Sequence, residues 1–292
     1  MRPLIRDPRR NTYAVQPPPA VAVGLALRTL RIARHVTMRQ VAARLGLRAQ
    51  DLSNWETAKR IPPITAVAQL LDALHADRVT VKRILNQADH ADDPAFVDAH
   101  HRDHAALAWH YEHLATDVVE WAPTLIPDLL RTPAHDLYLL NHPFADPGYA
   151  DAQSLAEPTR RNDLVDPNRH YTFLVGDTAL HACPPQMRTD QLSNLKHLAA
   201  RPNIALRVVP ADVCAPGLIS PFTLYRHHKV TLAAAVHHHR ASTYLADRDT
   251  LTAYQRATHM LRRHAVELQS VDETLQGTQA GPTELPDAAE AS

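Results

Sequence analysis

Cysteine is almost absent from this chain of 292 residues, which contains only Cys183 and Cys214 and no CxxC pair. A disulfide framework or a structural zinc ribbon needs more cysteines, so the sequence argues against both. No apolar run approaches the ~20 residues that cross a bilayer. The first thirty residues also lack the apolar core of a secretory signal. We therefore expect a cytoplasmic protein without a membrane attachment.

Glycine is scarce as well, with seven residues in the whole chain. Phosphate-binding loops and hydrolase elbows depend on glycines at fixed positions, and neither a Walker loop nor a GxSxG elbow is present. His227-x-Lys229 opens like a phospholipase-D-type nuclease motif, but Ala234 stands where that motif requires an aspartate. The sequence therefore predicts a protein that is not an enzyme and that holds no cofactor.

The formal net charge is zero, yet the charges are unevenly distributed. Residues 1–90 hold 15 Lys and Arg against 6 Asp and Glu, and the rest of the chain holds 16 against 25. A basic module joined to an acidic one is typical of phosphate binding combined with a separate regulatory domain.

Residues 37–57 have the pattern of two short helices joined by a tight turn. Gly46 lies at the turn and accepts a left-handed backbone at little cost. The apolar positions recur at helical spacing on both sides of it, at Val41, Ala42, Leu45, Leu52 and Trp55. This pattern predicts a helix-turn-helix, in which polar side chains of the second helix face base edges in the major groove.

The segment of residues 24–86 resembles the lambda-repressor-like (Xre) helix-turn-helix family. The matching features are Leu27-Arg28 with Leu30-Arg31, Thr37 as a helix cap, Val41-Ala42 with Leu45-Gly46-Leu47, Leu52-Ser53 with Trp55-Glu56, Pro62, and Leu70-Leu71. The resemblance implies a regulator whose partner is double-stranded DNA. We also expect a homodimer, because one recognition helix reads only a few base pairs.

The same resemblance implies the residues that contact DNA. It assigns Arg48, Ala49, Gln50 and Asn54 to the bases. It assigns Thr37, Met38, Ser53, Lys59 and Arg60 to the phosphate backbone. Bidentate geometry favours guanine for Arg48 and adenine for the two amides, whereas Ala49 can touch only a thymine methyl group. Arg31 and Glu56 are implied to form an internal ion pair.

Two residues depart from the pattern of this family. Met38 replaces a common Gln, which removes one amide contact to the backbone of DNA. Ala58 replaces the usual Gly, so the turn after the recognition helix must form without an easy positive φ.

Residues 105–270 resemble the C-terminal domain of actinobacterial regulators of the WhiJ type. The resemblance rests on residues 126–132, Arg160-Arg161-Asn162, Ala179-Leu180, residues 203–210 and Phe222-Thr223-Leu224. Asp128 and Arg131 replace a usual Gly and Gln. The resemblance implies a domain that senses a signal or a small partner protein encoded nearby.

We expect an α/β protein divided into four segments. Residues 1–20 are expected to form a flexible basic arm, and residues 271–292 a disordered acidic tail. Between them we expect an all-α five-helix helix-turn-helix domain over 21–90. A mixed α/β domain with a small sheet should then occupy 91–270.

Within that second domain, the patterns predict a long helix over 95–120 and a further helix over 151–165. Strands over 171–175 and 204–209 are expected to be parallel neighbours, because a helix over 186–200 connects them. A hairpin is predicted from residues 222–226 and 230–236, and a final helix from 247–268.

Histidine is abundant, with 20 residues, and it supplies the main alternative. The clusters are His100 with His104, His110 with His113, and His237-His238-His239. Such clusters suit a metal-dependent enzyme or a metal sensor, but a zinc site needs three or four converging ligands, and no HExxH is present. The sequence therefore predicts no metal site. An antitoxin-like member of a two-protein module is a third hypothesis.

Overall fold

The structure is a computed structural model, and it describes residues 15–98, 101–142, 164, 166–213, 220–238 and 241–268. The described residues form ten α-helices and one eight-stranded sheet, so the predicted α/β class is confirmed. The N-terminal part is helical and the C-terminal part mixes helices with the sheet. None of the described helices has the combination of length and apolar character that would let it cross a membrane.

The N-terminal part consists of five helices, as predicted: α1 (Pro18–Ala33), α2 (Met38–Arg44), α3 (Ala49–Glu56), α4 (Ile64–Ala73) and α5 (Arg78–Asp89). Their apolar sides share one core that includes Leu27, Leu52, Leu70 and Ile84. Asp77 caps α5 by accepting hydrogen bonds from the backbone N–H groups of residues 79 and 80. The bundle is thus held by apolar burial and by side-chain caps.

The first helix begins earlier than the sequence suggested. Proline is favoured in the first turn of a helix, where its missing N–H would have no partner, and Pro18 and Pro19 occupy that turn. Pro18, Pro19 and Ala20 are buried. The expectation of a flexible arm is therefore wrong for residues 18–20, while residues 1–14 lie outside the described residues.

The C-terminal part contains all eight strands: β1 (Ala95–Asp98), β2 (Asp117–Ala122), β3 (His170–Gly176), β4 (Ile204–Val209), β5 (Phe222–His227), β6 (Val230–His237), β7 (Ser242–Leu245) and β8 (Val266–Glu267). Their order across the sheet is β1-β7-β6-β5-β2-β3-β4-β8. Strands β2, β3 and β4 run parallel, and the other neighbours are antiparallel.

Helices cover both faces of this sheet. They are α6 (His101–Leu114), α7 (Pro133–Leu140), α8 (Asp177–His181), α9 (Pro185–Ala199) and α10 (Arg248–His264). Helix α10 packs on one face, where Leu251 and Leu261 join the buried Trp121. Helices α6 and α9 pack on the other face, where Tyr111 and Leu195 are buried.

Several predictions about this part are confirmed. Strands β3 and β4 are parallel neighbours connected through α8 and α9, and β5 and β6 form the expected hairpin. The sheet, however, is larger than the small one expected. The predicted helix over 151–165 lies almost entirely outside the described residues.

The prediction of one long helix over 95–120 is wrong. Its middle is α6, but its two ends are strands β1 and β2. Both faces of β2 are covered, so Val118, Val119, Trp121 and Ala122 are all buried. A short, mainly apolar segment of this kind, interrupted here by Glu120, does not distinguish a central strand from a buried helix.

The helical part and the sheet part share a core. Ala20 and Val21 of α1, together with Ala58 and Ala91, belong to the same buried cluster as Leu107 and Tyr111 of α6. Helix α1 therefore contributes to two cores, one inside the bundle and one against the C-terminal part.

Candidate DNA-binding surface

The turn between α2 and α3 is fixed by local hydrogen bonds. The backbone N–H of Leu47 donates to the carbonyl oxygen of Ala42 at 2.9 Å. At the start of α2, Thr37 Oγ1 accepts from the backbone N–H of Gln40 at 3.3 Å, and Gln40 Oε1 accepts from the N–H of Thr37 at 2.9 Å. At the end of α2, Gly46 has a φ of +65°. A Cβ at Gly46 would meet nothing within 4 Å, so only the left-handed backbone conformation favours glycine there.

A buried ion pair ties α1 to the end of α3. Arg31 Nε lies 2.6 Å from Glu56 Oε1, and Arg31 Nη2 lies 2.7 Å from Glu56 Oε2. The two side chains are 12% and 4% exposed. The hydrogen bond to Glu56 is the main reason that the pKa of Arg31 is raised. The structure thus brings together the two residues that the sequence resemblance paired.

Close backbone packing fixes the other side of α3. A Cβ built at Gly24 would lie 2.5 Å from the carbonyl oxygen of Trp55. Glycine is therefore required where α1 passes the end of α3. Neither α1 nor α3 can rotate independently of the other without losing this contact and the Arg31–Glu56 pair.

The amide residues assigned to the bases lie next to each other on α3. Gln50 Nε2 donates to Asn54 Oδ1 at 3.1 Å across one helical turn. This leaves Gln50 with its carbonyl oxygen and a second N–H, which is the donor and acceptor pair that adenine recognition requires. Asn54 can therefore orient Gln50 as well as contact a base itself.

Arg48 precedes α3 and is engaged by a neighbour that the sequence reasoning missed. Its Nε lies 2.7 Å from Asp51 Oδ2, and its side chain is 79% exposed. Asp51 raises the pKa of Arg48 through this hydrogen bond, and the pKa of Asp51 is lowered in return. The signal was available, because opposite charges three residues apart meet on a helix surface.

The residues assigned to phosphate contacts surround this face unevenly. Thr37, Lys59 and Arg60 are exposed, whereas Ser53 is half-buried. Ala49, which is assigned to the bases, is also half-buried. Met38 is also half-buried and packs against the core of the bundle. Its side chain is thus turned toward apolar neighbours, which leaves its backbone as the part that could approach DNA.

Ala58 lies in the turn after α3, at the position where a glycine was expected. It adopts a left-handed backbone with a φ of +50°, although it carries a Cβ. Its methyl group is 2% exposed. Burial of that methyl group therefore accompanies a backbone conformation that is unfavourable for a non-glycine residue.

The histidine clusters do not converge in the described part of the chain. No group of three or more His, Cys, Asp or Glu side chains lies close enough there to hold a metal ion. His237 uses both ring nitrogens, at 2.9 Å from Thr223 Oγ1 and 3.0 Å from Ser242 Oγ. His113 stacks on Trp109. His100 and His239 lie outside the described residues.

Comparisons with known protein families agree with the division into a helical N-terminal part and a C-terminal part that contains the sheet. Residues 105–276, more than half of the chain, match the model of a family described as a domain of unknown function, DUF5753. The chain belongs to the DUF5753 family. Residues 22–84 match the model of a helix-turn-helix domain, which supports a DNA-binding transcriptional regulator.

One solved structure with a match is that of the clp gene regulator ClgR from C. glutamicum. It is 28% identical over 27% of this chain and 99% of that chain, with a TM-score of 0.23. No curated protein gives a significant sequence match.

Proposed function

We propose that this protein is a sequence-specific transcriptional regulator that reads the major groove with the helix at 49–56. The observation that carries the proposal is the polar face of α3, on which Gln50 and Asn54 are joined by a hydrogen bond. Rigidly positioned side chains are what direct base readout requires. The buried Arg31–Glu56 pair and the contact at Gly24 supply that rigidity.

Contacts with DNA are proposed in two groups. Arg48, Ala49, Gln50 and Asn54 face the bases. Thr37, Met38, Ser53, Lys59 and Arg60 face the phosphates. Asp51 accepts hydrogen bonds from Nε and Nη2 of Arg48. Nη1 and the second N–H of Nη2 remain for a guanine, so Asp51 can hold the guanidinium of Arg48 in place for that contact.

The finer assignment follows the resemblance. We propose an Xre-type bundle over 21–90 and a domain of the WhiJ type over 91–270 that receives a signal or a small partner protein. We further propose a homodimer, since two linked half-sites bind DNA far more tightly than one. Sedimentation of the full chain with and without DNA tests the dimer, and a monomer bound to a single half-site would contradict it.

Selection of bound duplexes from a random library tests sequence reading. Gln50→Ala and Asn54→Ala should each lose about 1–3 kcal/mol of binding free energy on the selected duplex and little on random duplex. Lys59→Ala should weaken both equally and reduce the slope of affinity against salt by about one.

Lys82→Ala is the matched control, because Lys82 is an exposed lysine on α5, which is not the recognition helix. It should leave both affinities unchanged. If Gln50→Ala weakens the selected and random duplexes equally, α3 does not read bases in the way proposed.

A further inference from the structure

A cleft of about 330 Å³ lies between α10 and the sheet face formed by β2 and β5. Its volume is at the lower end of the range found for small-molecule sites. The lining residues are Val119, Leu224, Arg226, Gln255, Thr258, His259 and Arg262. This cleft is on the opposite face of the sheet from α6 and has no role in the proposed contacts with DNA.

The floor and the wall of the cleft differ in character. Val119 and Leu224 form an apolar floor, and each is 1% exposed. The wall is a polar stripe of α10, because Gln255, Thr258 and Arg262 follow helical spacing and line the cleft. An apolar floor with a few polar groups above it is the usual composition of a ligand site.

Two arginines lie in the cleft, and no carboxylate lines it among the described residues. Arg262 is at the rim and only partly shielded from water, and this partial desolvation, together with the charge of Arg226, lowers its pKa, while the charge of Asp117 raises it. Asp117 is paired with Arg226 in the register of β2 and β5. The two guanidinium groups thus share one nearby acid, so the cleft has an excess of positive charge that an anion would neutralise.

Two residues that line the cleft also carry a buried polar atom without a hydrogen-bond partner in the described structure. Thr258 is 7% exposed, and its Oγ1 makes no hydrogen bond in the described structure. The same holds for the buried Nε of Arg226. Unsatisfied buried polar atoms lower stability, and an anion toward which the side chains of Thr258 and Arg226 turn would supply an acceptor. Other contacts hold the rest of the wall, since Arg262 donates to Thr172 Oγ1 at 2.9 Å and Gln255 donates to Thr231 Oγ1 at 2.6 Å.

We propose that this cleft binds a small organic anion, with its oxyanion group against Arg226 and Arg262 and its apolar body over Val119 and Leu224. Carboxylates and phosphate monoesters share the planar or branched oxygen pattern that guanidinium groups recognise. The proposal goes beyond DNA reading and does not depend on it, because binding to the cleft can be measured without DNA.

Calorimetry of the full chain without DNA tests the proposal. The probes are phenyl phosphate and benzoate, with benzyl alcohol as the uncharged analogue and inorganic phosphate as the anion without an apolar body. We expect one site per chain for the two organic anions. Benzyl alcohol and inorganic phosphate should bind at least roughly tenfold more weakly than those anions. Whichever of phenyl phosphate and benzoate binds more tightly identifies the oxyanion class.

Charge-removing variants connect that binding to the cleft. Arg226→Gln and Arg262→Gln should each weaken the organic anions by roughly tenfold or more. Arg263→Gln is the matched control, because Arg263 is the next residue of α10, is exposed, and does not line the cleft. It should leave affinity unchanged. Arg262 is exposed at the rim, so its variant carries the test even if Arg226→Gln lowers the melting temperature.

Three results would overturn the proposal. The first is equal weakening by Arg263→Gln and Arg262→Gln. The second is binding of benzyl alcohol as tight as that of benzoate. The third is the absence of saturable binding by either organic anion at millimolar concentration.

Discussion

The carboxylate side chain of Glu56 is only 4% exposed, and its ion pair with Arg31 offsets the free-energy cost of removing that charge from water. Glu56→Ala leaves the guanidinium of Arg31 without its partner, so we expect a loss of about 3 kcal/mol in the free energy of unfolding. Arg31→Ala should be similarly harmful. The double variant should lose less than the sum, which denaturant melts of the four proteins would measure.

The exposed pair of Arg207 and Glu267 is a fitting control. Its atoms are 2.6 Å apart, as in the buried pair, but its side chains are 44% and 64% exposed. Its coupling energy should stay below about 1 kcal/mol. Strict additivity at Arg31 and Glu56 would show that the pair contributes no more than this surface contact.

Histidine residues have a backbone role that their pattern in the sequence did not suggest. Among the described residues, four other than glycine have a positive φ, and three of them are His35, His75 and His228. Histidine is one of the residues enriched in left-handed conformations. His35 and His75 follow the ends of α1 and α4, and His228 lies in the turn of the β5–β6 hairpin. Turn geometry therefore accounts for three of the 20 histidines, none of which belongs to the clusters considered as metal ligands.

At the scale of elements, the clearest prediction is the effect of Gly24→Ala on stability. Helix propensity alone favours Gly24→Ala by about 1 kcal/mol. The added Cβ would instead lie 2.5 Å from the Trp55 carbonyl, so α1 must move away from α3. We expect a net loss of about 2 kcal/mol in the free energy of unfolding. A thermal or denaturant melt gives the sign, and a stabilised variant would show that the helices separate without strain.

The helical bundle was predictable from the sequence because its signals are local. Thr37, Gly46 and Asp77 mark helix ends by chemistry that acts within a few residues, and the bounds of α3 are the same in pattern and structure. The set of site residues came from the family resemblance. Asp51 was not in that set, although its spacing to Arg48 would have identified it.

The sheet was only partly predictable, since its edges and centre depend on distant partners. Strand β1 pairs with β7, and nothing within residues 95–98 indicates that partner. The cleft arginines were missed for the same reason. Arg226 and Arg262 come from a strand and a helix that are far apart in sequence, and only the packing of α10 on the sheet brings them together.

At the scale of the whole molecule, His110 couples stability to pH. It lies on α6, and its pKa falls from the usual 6.5 to about 4, because burial penalises the charged ring and the charges of His113 and Arg28 add to this. A depressed pKa means that the unfolded chain takes up the proton first. The contribution is therefore complete above about pH 6.5 and is lost as the pH falls toward 4, by about 3 kcal/mol in total.

Melts of the full chain between pH 7 and pH 4 test this linkage. His110→Gln should reduce the slope of unfolding free energy against pH over that range. His197→Gln is the control, because His197 is an exposed residue of α9, and it should leave the slope unchanged. Identical slopes for all three proteins would show that His110 titrates equally in the folded and unfolded chain.

Because β1 pairs with β7, the sheet cannot close during synthesis until β7 has been made. Synthesis proceeds at about 5–20 residues per second, so β7 emerges roughly seven to thirty seconds after β1. The bundle makes mostly local contacts and can fold during that interval, as soon as its last helix is out. Until the sheet closes, Ala20 and Val21 of α1 face water instead of Leu107 and Tyr111. We therefore expect the nascent chain to pass through a stage in which the folded helical bundle exposes an apolar side, to which chaperones that bind such surfaces would attach.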